Sequence, residues 1–239
     1  MDICKKEQCT ACCTCVNICP KEAISMQLDE LGKTYAKIDE DKCIGCDACK
    51  KTCPANNAPE LNESIKCYAI WSKNTTHQTK CASGGLATGF AESVISNNGV
   101  VYGVRFNEDI DLVFDSTENY DLTEFWGSKY VQATPGNIYM DVQEQLKNNR
   151  PVLFVGTPCQ IGGLKNFLHK EYDNLITVDL ICHGTPPISY LKEHIESITN
   201  QRITNISFSE VRSIPLTTKV RKQELDIPVL HSFLLVSSV

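Results

Sequence analysis

Cys9, Cys12, Cys15 and Cys19-Pro20 follow the spacing C-x2-C-x2-C-x3-C-P, and Cys43, Cys46, Cys49 and Cys53-Pro54 repeat it. Three such close cysteines wrap one iron–sulfur cube as thiolates, while the fourth reaches away to the other cube. The spacing therefore assigns Cys9, Cys12, Cys15 and Cys53 to cluster one. Cys43, Cys46, Cys49 and Cys19 go to cluster two, and both clusters are of the 4Fe-4S type. Four thiolates also suit zinc, but zinc modules usually separate two C-x2-C knuckles by a longer loop and seldom follow the last cysteine with proline. Cys4 and Cys13 fall outside the pattern and read as small buried or loosely exposed thiols.

Ten of the fourteen cysteines fall between Cys4 and Cys53, and the other four are Cys67, Cys81, Cys159 and Cys182. The first residues, MDICKKEQCTACC, lack the apolar core of a signal peptide, so the cysteines read as metal ligands and not as disulfides, and a cytoplasmic location is expected. A formal net charge of -6 argues against a general nucleic-acid footprint. No run approaches the roughly 18 apolar residues needed to span a bilayer.

The elements that must position these groups divide near residues 54–66, where PANNAPELNES is a polar, proline-bearing connector. The expected fold is an α+β ferredoxin-like two-cluster module over 1–60, followed by an α/β domain with a partly parallel sheet over 61–208. An atypical tail over 209–239 follows. In the module, AISMQLDELGKTYAKID alternates about a turn at Glu30–Lys33 and predicts a hairpin. In the second domain, Ala87, Phe90, Ala91, Val94 and Ile95 define one face of a helix over 86–98, with Gly99 at its C-terminal cap. VVYGVRF and DLVFD predict a second hairpin about NEDI. Ile138, Val142 and Leu146 mark another helix. PVLFV and LITVDLI are near-continuous apolar runs, expected to be strands covered on both faces. The helix between them, carrying Ile161, Leu164, Phe167 and Leu168, completes a βαβ unit with a right-handed crossover. A last helix turns Ile188, Leu191, Ile195 and Ile198 inward, with Thr185 placed to cap it and prolines in its first turn.

Three loops could hold a cofactor. Ser83-Gly84-Gly85 precedes a helix, where free amides bind phosphate, although glycines before helices are often plain turns. Gly156-Thr157-Pro158-Cys159-Gln160 and Cys182-His183-Gly184-Thr185 end the two buried strands, the edge at which open α/β sheets bind ligands. Cys159 and Cys182 read there as cluster ligands, a redox pair or buried thiols.

GTPCQIGGLKNFL, DLICHGTPP, SGGLATGF and GSKYVQ, in this company, resemble the coenzyme F-420 hydrogenase/dehydrogenase beta-subunit family over about residues 1–208. Its members join an iron–sulfur module to a flavin-binding domain. The resemblance implies FAD in the second domain, exchanging electrons with the clusters. It places Ser83, Gly84 and Gly85 near the flavin or its phosphates, and Ser128, Lys129 and Tyr130 in the pocket. Lys129 would be a pyrophosphate or N1-side charge, or else a solvated surface lysine. Thr157 and Gln160 would adjoin the cofactor, with Cys159, Cys182 and His183 facing the redox centre; His183 could equally make a turn-stabilising hydrogen bond. Trp126 departs from the basic residue common before GSKY, and Cys81-Ala82 from serines.

From Ser209 onward the sequence leaves the expected pattern, which suggests a truncated or frame-shifted C-terminus. The leading expectation is a flavin-dependent iron–sulfur oxidoreductase serving a redox partner protein or a small-molecule acceptor such as F-420. The alternatives are a non-catalytic electron-transfer adaptor that docks a partner enzyme, and a non-functional fragment.

Overall fold

The computed structural model describes residues 2–60, 63–199, 205–208, 215–220, 223–228 and 236–237. The tail reading falls largely on residues outside this set. In the first sixty residues the two cysteine runs fold alike. Each loop contains two left-handed residues, Ala11 (φ 57°) and Cys13 (φ 60°) in the first, Gly45 (φ 68°) and Asp47 (φ 57°) in the second. Each loop leads into a five-residue helix, α1 (Thr14–Ile18) or α2 (Ala48–Thr52), and each helix ends at the fourth cysteine, Cys19 or Cys53, in extended conformation. The internal repeat of the sequence is thus a repeat of backbone conformation. Between the helices, β1 (Ile24–Leu28) and β2 (Thr34–Ile38) form the expected antiparallel hairpin. Asp29 closes its turn by accepting from the amides of Leu31 (3.0 Å) and Lys33 (2.8 Å).

After α3 (Thr75–Lys80), the second region is built on α4 (Leu86–Ser96), β3 (Val100–Phe106), β4 (Leu112–Thr117), α5 (Ile138–Lys147), β5 (Val152–Gly156), α6 (Pro158–Leu168), β6 (Leu175–Leu180) and α7 (Ile188–Ile198). The remaining strands are β7 (Asn205–Phe208), β8 (Pro215–Val220), β9 (Gln223–Pro228) and β10 (Val236–Ser237). The main sheet has the order β10-β6-β5-β3-β4, parallel from β6 through β3 and antiparallel at both edges; β7-β8-β9 is a separate antiparallel sheet. The fold is mixed α/β with a partly parallel sheet, as the sequence predicts.

Both faces of β5 are covered. Val152 and Phe154 pack with Tyr139, Val142 and Leu164 on one side, and Leu153 packs with Ala91, Val94 and Val178 on the other. Five expectations differ, the first being that Ile198 of α7 is exposed and not turned inward. LITVDLI is not covered on both faces: Ile176 retains 46% exposure, Ile181 is exposed as well, and Val178 is the buried residue of β6. Phe90 is outward, since α4 meets the sheet through the narrower stripe of Thr88, Ala91, Val94 and Ile95. Thr185 does not cap α7, which begins only after Pro187 with no side-chain cap. At the end of α4 the left-handed residue is Asn98, whereas Gly99 is needed for a close approach, its Cβ position lying 2.6 Å from the Pro151 carbonyl oxygen.

Candidate functional site

The helix pair brings distant cysteines together. Cys15 has Cys12, Cys13, Cys9 and Cys53 as its electrostatic neighbours, and Cys19 borders one hollow with Cys43, Cys46 and Cys49. Each grouping contains one of the quartets that the spacing predicts, the first together with Cys13. Among the described residues no three Cys, His, Asp or Glu side chains close on a single ion, whereas a cube spreads its four thiolates over separate irons. The second hollow is walled by Ile24, Ile38 and Ile44, and the Ala23 amide donates to Cys19 Sγ at 3.4 Å. The surroundings differ between the quartets: Cys12, Cys15 and Cys53 are buried, whereas Cys46 is exposed. Burial pushes the Cys12 and Cys15 thiols up, so thiolates there need the positive charge of a metal centre. Cys13 is a buried thiol on the Ala11 carbonyl at 3.5 Å, in keeping with its plain reading.

A cavity of about 650 Å³ opens over the carboxyl edge of β5 and β6, within the range typical of cofactor sites. Its walls hold Ser83, Ser128, Lys129, Tyr130, Thr157 and Gln160, and also Cys159, Cys182 and His183. Apolar wall comes from Val101, Leu122, Val155 and Val178, none of which local pattern alone would place there. Gly84 and Gly85 are not on the wall. Their Cβ positions lie 2.9 Å from Trp71 Cβ and 2.6 Å from His77 Cβ, so both serve close packing beneath the loop. Cys9 and Thr10 of the first module also line the cavity.

Lys33, Lys129 and His183 are the lining residues that can carry positive charge, and no carboxylate among the described residues lines the wall. Lys129 is half-buried, its open side facing the cavity. Its Nζ donates to the carbonyls of Trp126 (3.0 Å), Phe125 (3.3 Å) and Gly127 (3.3 Å). Burial pulls its pKa down to about 8. The Trp126 indole N–H, on the same wall, is buried without an acceptor among the described residues. The first turn of α4 follows three left-handed residues, Ser83 (φ 50°), Gly84 (φ 69°) and Gly85 (φ 79°), and no side chain caps it. An ammonium, an orphaned N–H and open helix amides together fit an anionic ligand with several acceptors.

Other predicted residues are engaged in structure. Thr157 and Gln160 form a capping box at the start of α6, with the Thr157 amide donating to Gln160 Oε1 at 2.9 Å; Gln160 Nε2 donates to the Ala133 carbonyl at 3.1 Å. Cys159 Sγ lies 3.3 Å from Thr157 Oγ1 and within electrostatic reach of Cys12, between the first cysteine quartet and the cavity. Cys182 Sγ accepts from the Gly184 amide at 3.3 Å, which makes the cysteine, and not His183, the turn-stabilising group of that loop.

The module is fastened to the sheet domain beside this cavity. Asn166 on α6 donates to the carbonyls of Thr52 (3.1 Å) and Asn57 (2.8 Å), and Asn17 on α1 donates to the Gly136 carbonyl (2.6 Å). Gly163 admits Thr14 and Cys12 against α6, its Cβ position falling 3.3 Å from Cys12 Sγ.

Residues 8–57 match the family described as 4Fe-4S dicluster domain. Fold and cysteine pattern thus define an iron–sulfur protein with a ferredoxin-type electron-transfer module. Residues 149–235 match the family described as the C terminus of the coenzyme F420 hydrogenase/dehydrogenase beta subunit, and this stretch runs past Ser209. The chain is 27% identical over 184 residues to a coenzyme F420-dependent sulfite reductase of Methanocaldococcus jannaschii, covering 74% of this chain and 28% of that protein. It is 39% identical over 51 residues to an uncharacterized ferredoxin of the same organism, covering 21% of this chain and 65% of that one. Ketoisovalerate oxidoreductase subunit VorC of Methanothermobacter marburgensis is 35% identical over 57 residues, covering 23% and 72%. The chain therefore spans less than two thirds of the first two relatives. The two matched stretches are thus a 4Fe-4S dicluster domain and the C-terminal domain of the coenzyme F420 hydrogenase/dehydrogenase beta subunit, in the order that the sequence resemblance implies.

Proposed function

We propose that the protein is a flavin-dependent iron–sulfur oxidoreductase that passes electrons between two 4Fe-4S clusters and FAD. A small acceptor such as coenzyme F420, or a redox partner protein, exchanges electrons with it. The observation that carries this reading is a cofactor-sized cavity without a carboxylate among the described residues, with a half-buried lysine on its wall and Cys9 of the first quartet beside it. Cys9, Cys12, Cys15 and Cys53 hold cluster one, and Cys43, Cys46, Cys49 and Cys19 hold cluster two.

When bound, FAD supplies a centre that exchanges single electrons with clusters and electron pairs with a small acceptor. The chain's own residues do the positioning. Lys129 provides a fixed positive charge, held by three carbonyls, and Trp126 a free N–H. Ser83 and the uncapped start of α4 offer donors to the diphosphate. Val101, Val155 and Val178 keep water from one wall. Thr157 and Gln160 hold the loop that carries Cys159 toward cluster one. The exposed Cys46 end of cluster two is the port for an outside partner, and cluster one is the inner relay.

Anaerobic purification followed by iron, sulfide, zinc and flavin analysis tests the reading. About eight iron and eight sulfide per chain, with about one FAD released by heat, is expected. Both clusters without flavin would favour the adaptor, and zinc would remove the redox function altogether.

A further inference from the structure

The mouth of the cavity is built by both regions of the chain. The turn between β1 and β2 rests on the start of α7. A Cβ on Gly32 (φ 75°) would fall 2.5 Å from Ser189 Oγ and 3.5 Å from Pro187 Cβ, so the bare glycine lets the turn seat there. On the two sides of that glycine, Leu31 and Lys33 line the cavity, and Tyr190 lines it from the first turn of α7. Leu31 and Tyr190 are exposed, whereas Ala91, Val101, Leu122 and Val178 are buried at the other end, where Trp126 packs on them. Gln132 fastens the opening: its amide donates to the Pro186 carbonyl at 2.9 Å and its Nε2 to the Thr10 carbonyl at 3.4 Å. Lys33 brings a charge to this rim. Its Nζ donates to the carbonyls of Glu7 (3.0 Å) and Lys6 (3.1 Å), with no carboxylate in salt-bridge range among the described residues. The ammonium is therefore anchored without being neutralised, and a third N–H is left over. Asp29, the carboxylate of the turn, is taken up by the Leu31 and Lys33 amides and by Lys6 Nζ at 3.8 Å.

We infer that this opening is the acceptor subsite and that Lys33 is its specificity-determining residue, a proposal that rests on the flavin-dependent reading of the cavity. It selects a flat apolar acceptor bearing an anionic group, such as a carboxylate or phosphate, over a neutral one of the same shape. Leu31 and Tyr190 cover the apolar body, and Lys33 Nζ takes the anion as a charge-assisted hydrogen bond. The two lysines of the wall are thus divided between two ligands. Lys129 is held by carbonyls of residues 125–127, at the buried end where the cofactor binds, whereas Lys33 is held by carbonyls of the cluster-bearing module. The chain as a whole carries a net charge of -6 and repels anions at long range. A local cation on a wall free of carboxylates among the described residues reverses that preference at the one place where the acceptor enters.

The test is equilibrium dialysis of the oxidised full chain, purified anaerobically and supplied with excess FAD, against two probes of one ring system. Anthraquinone-2-sulfonate carries the charge and 2-(hydroxymethyl)anthraquinone does not; iron and flavin are counted on every sample. The unsubstituted protein should bind the sulfonate about tenfold more tightly than the alcohol, the worth of one charge-assisted hydrogen bond. Lys33→Gln keeps a donor for the Lys6 and Glu7 carbonyls but loses the charge, so it should lose that preference while its affinity for the alcohol stays within about twofold. Lys33→Arg should retain the preference. Equal binding of both probes by the unsubstituted protein would overturn the proposal, as would an undiminished preference in Lys33→Gln at full iron content. Loss of the preference in Lys33→Arg would also overturn it, by making Lys33 only a tie for its own loop. Should Lys33→Gln lose iron, the unsubstituted protein and Lys33→Arg still decide. An unsubstituted protein that takes up no flavin would instead remove the flavin reading beneath the proposal, whatever the two probes do.

Discussion

Replacing Lys129 by methionine should stabilise the flavin-free protein and cost it its cofactor. The ammonium sits against three carbonyls with no carboxylate in salt-bridge range among the described residues, and burial takes its pKa from 10.5 to about 8. At about 1.4 kcal/mol per pH unit, holding the charge there costs about 3 kcal/mol. That figure is an upper bound, since the cavity side of Lys129 is open to water. Methionine fills similar space without charge, and the three abandoned carbonyls give back about 1 kcal/mol. The net gain is about 1–2 kcal/mol, or a rise of about 2–8 °C in Tm for a chain of this size.

The pH dependence has a definite sign. Below pH 8 folded and unfolded chains both hold the lysine proton, and the full penalty applies. Between pH 8 and 10.5 the unfolded chain holds more protons than the folded one, so stability rises with pH. Above that window neither state is charged and the penalty is gone. Lys129→Met should remove this rise. FAD affinity should fall about tenfold to a hundredfold, the worth of one charge-assisted hydrogen bond. Anaerobic thermal melts of flavin-stripped protein at pH 7 and pH 9.5, with fluorescence titration of FAD, read both effects. A variant less stable than its parent, with unchanged flavin affinity, would show that Lys129 serves only to tie its own loop.

Other perturbations probe the attachment of the clusters. Gly163→Ala drives a methyl into Thr14 and to 3.2 Å from Cys12 Cβ; a cost of about 1–3 kcal/mol and partial loss of cluster one, seen as fewer irons per chain, are expected. Gly45→Ala meets no atom within 4 Å and pays only for its positive φ, about 1 kcal/mol, with both clusters retained. Asn166→Ala removes the bonds to Thr52 and Asn57, and limited proteolysis should cut the connector over 54–66 faster. Stripping the clusters with chelator and oxidant should unfold residues 2–60, whose buried apolar group consists of Ile3, Ile24, Ile38 and two ligand cysteines. The β5-centred sheet should survive, as hydrogen exchange would report.

Local signals are legible where one strong constraint acts over a few residues. Asp29 at the hairpin turn, the box Thr157–Gln160 and the apolar run of β5 each determine their own neighbourhood. Phe90 defeats the pattern because helical periodicity gives the direction of an apolar face but not its width, and the sheet beneath α4 admits only the narrower stripe. Thr185 has the sequence of a cap because Thr-Pro-Pro suits a helix start; the chain stays extended to Pro187, where the Pro186 carbonyl accepts from the Gln132 amide, and Thr185 turns to the cavity instead. The buried state of Lys129 lies beyond local pattern, since it depends on a loop folding back over its own side chain.

The join between module and sheet domain explains why small and amide residues cluster at the middle of α6. Electron transfer slows steeply with separation, so on the proposed reading cluster one must be held at a fixed short distance from the cavity. A side chain at Gly163 would lengthen that distance, and a swinging module would make it variable. Glycines 162 and 163 bring Pro59 and Cys12 against the helix, while Asn17 and Asn166 lock the approach with hydrogen bonds to backbone carbonyls. Backbone carbonyls are steadier anchors than surface side chains, whose ion pairs contribute little. The same helix offers Cys159 to the cavity and Gly163 to Cys12, so one rigid element fixes both ends of the proposed electron path.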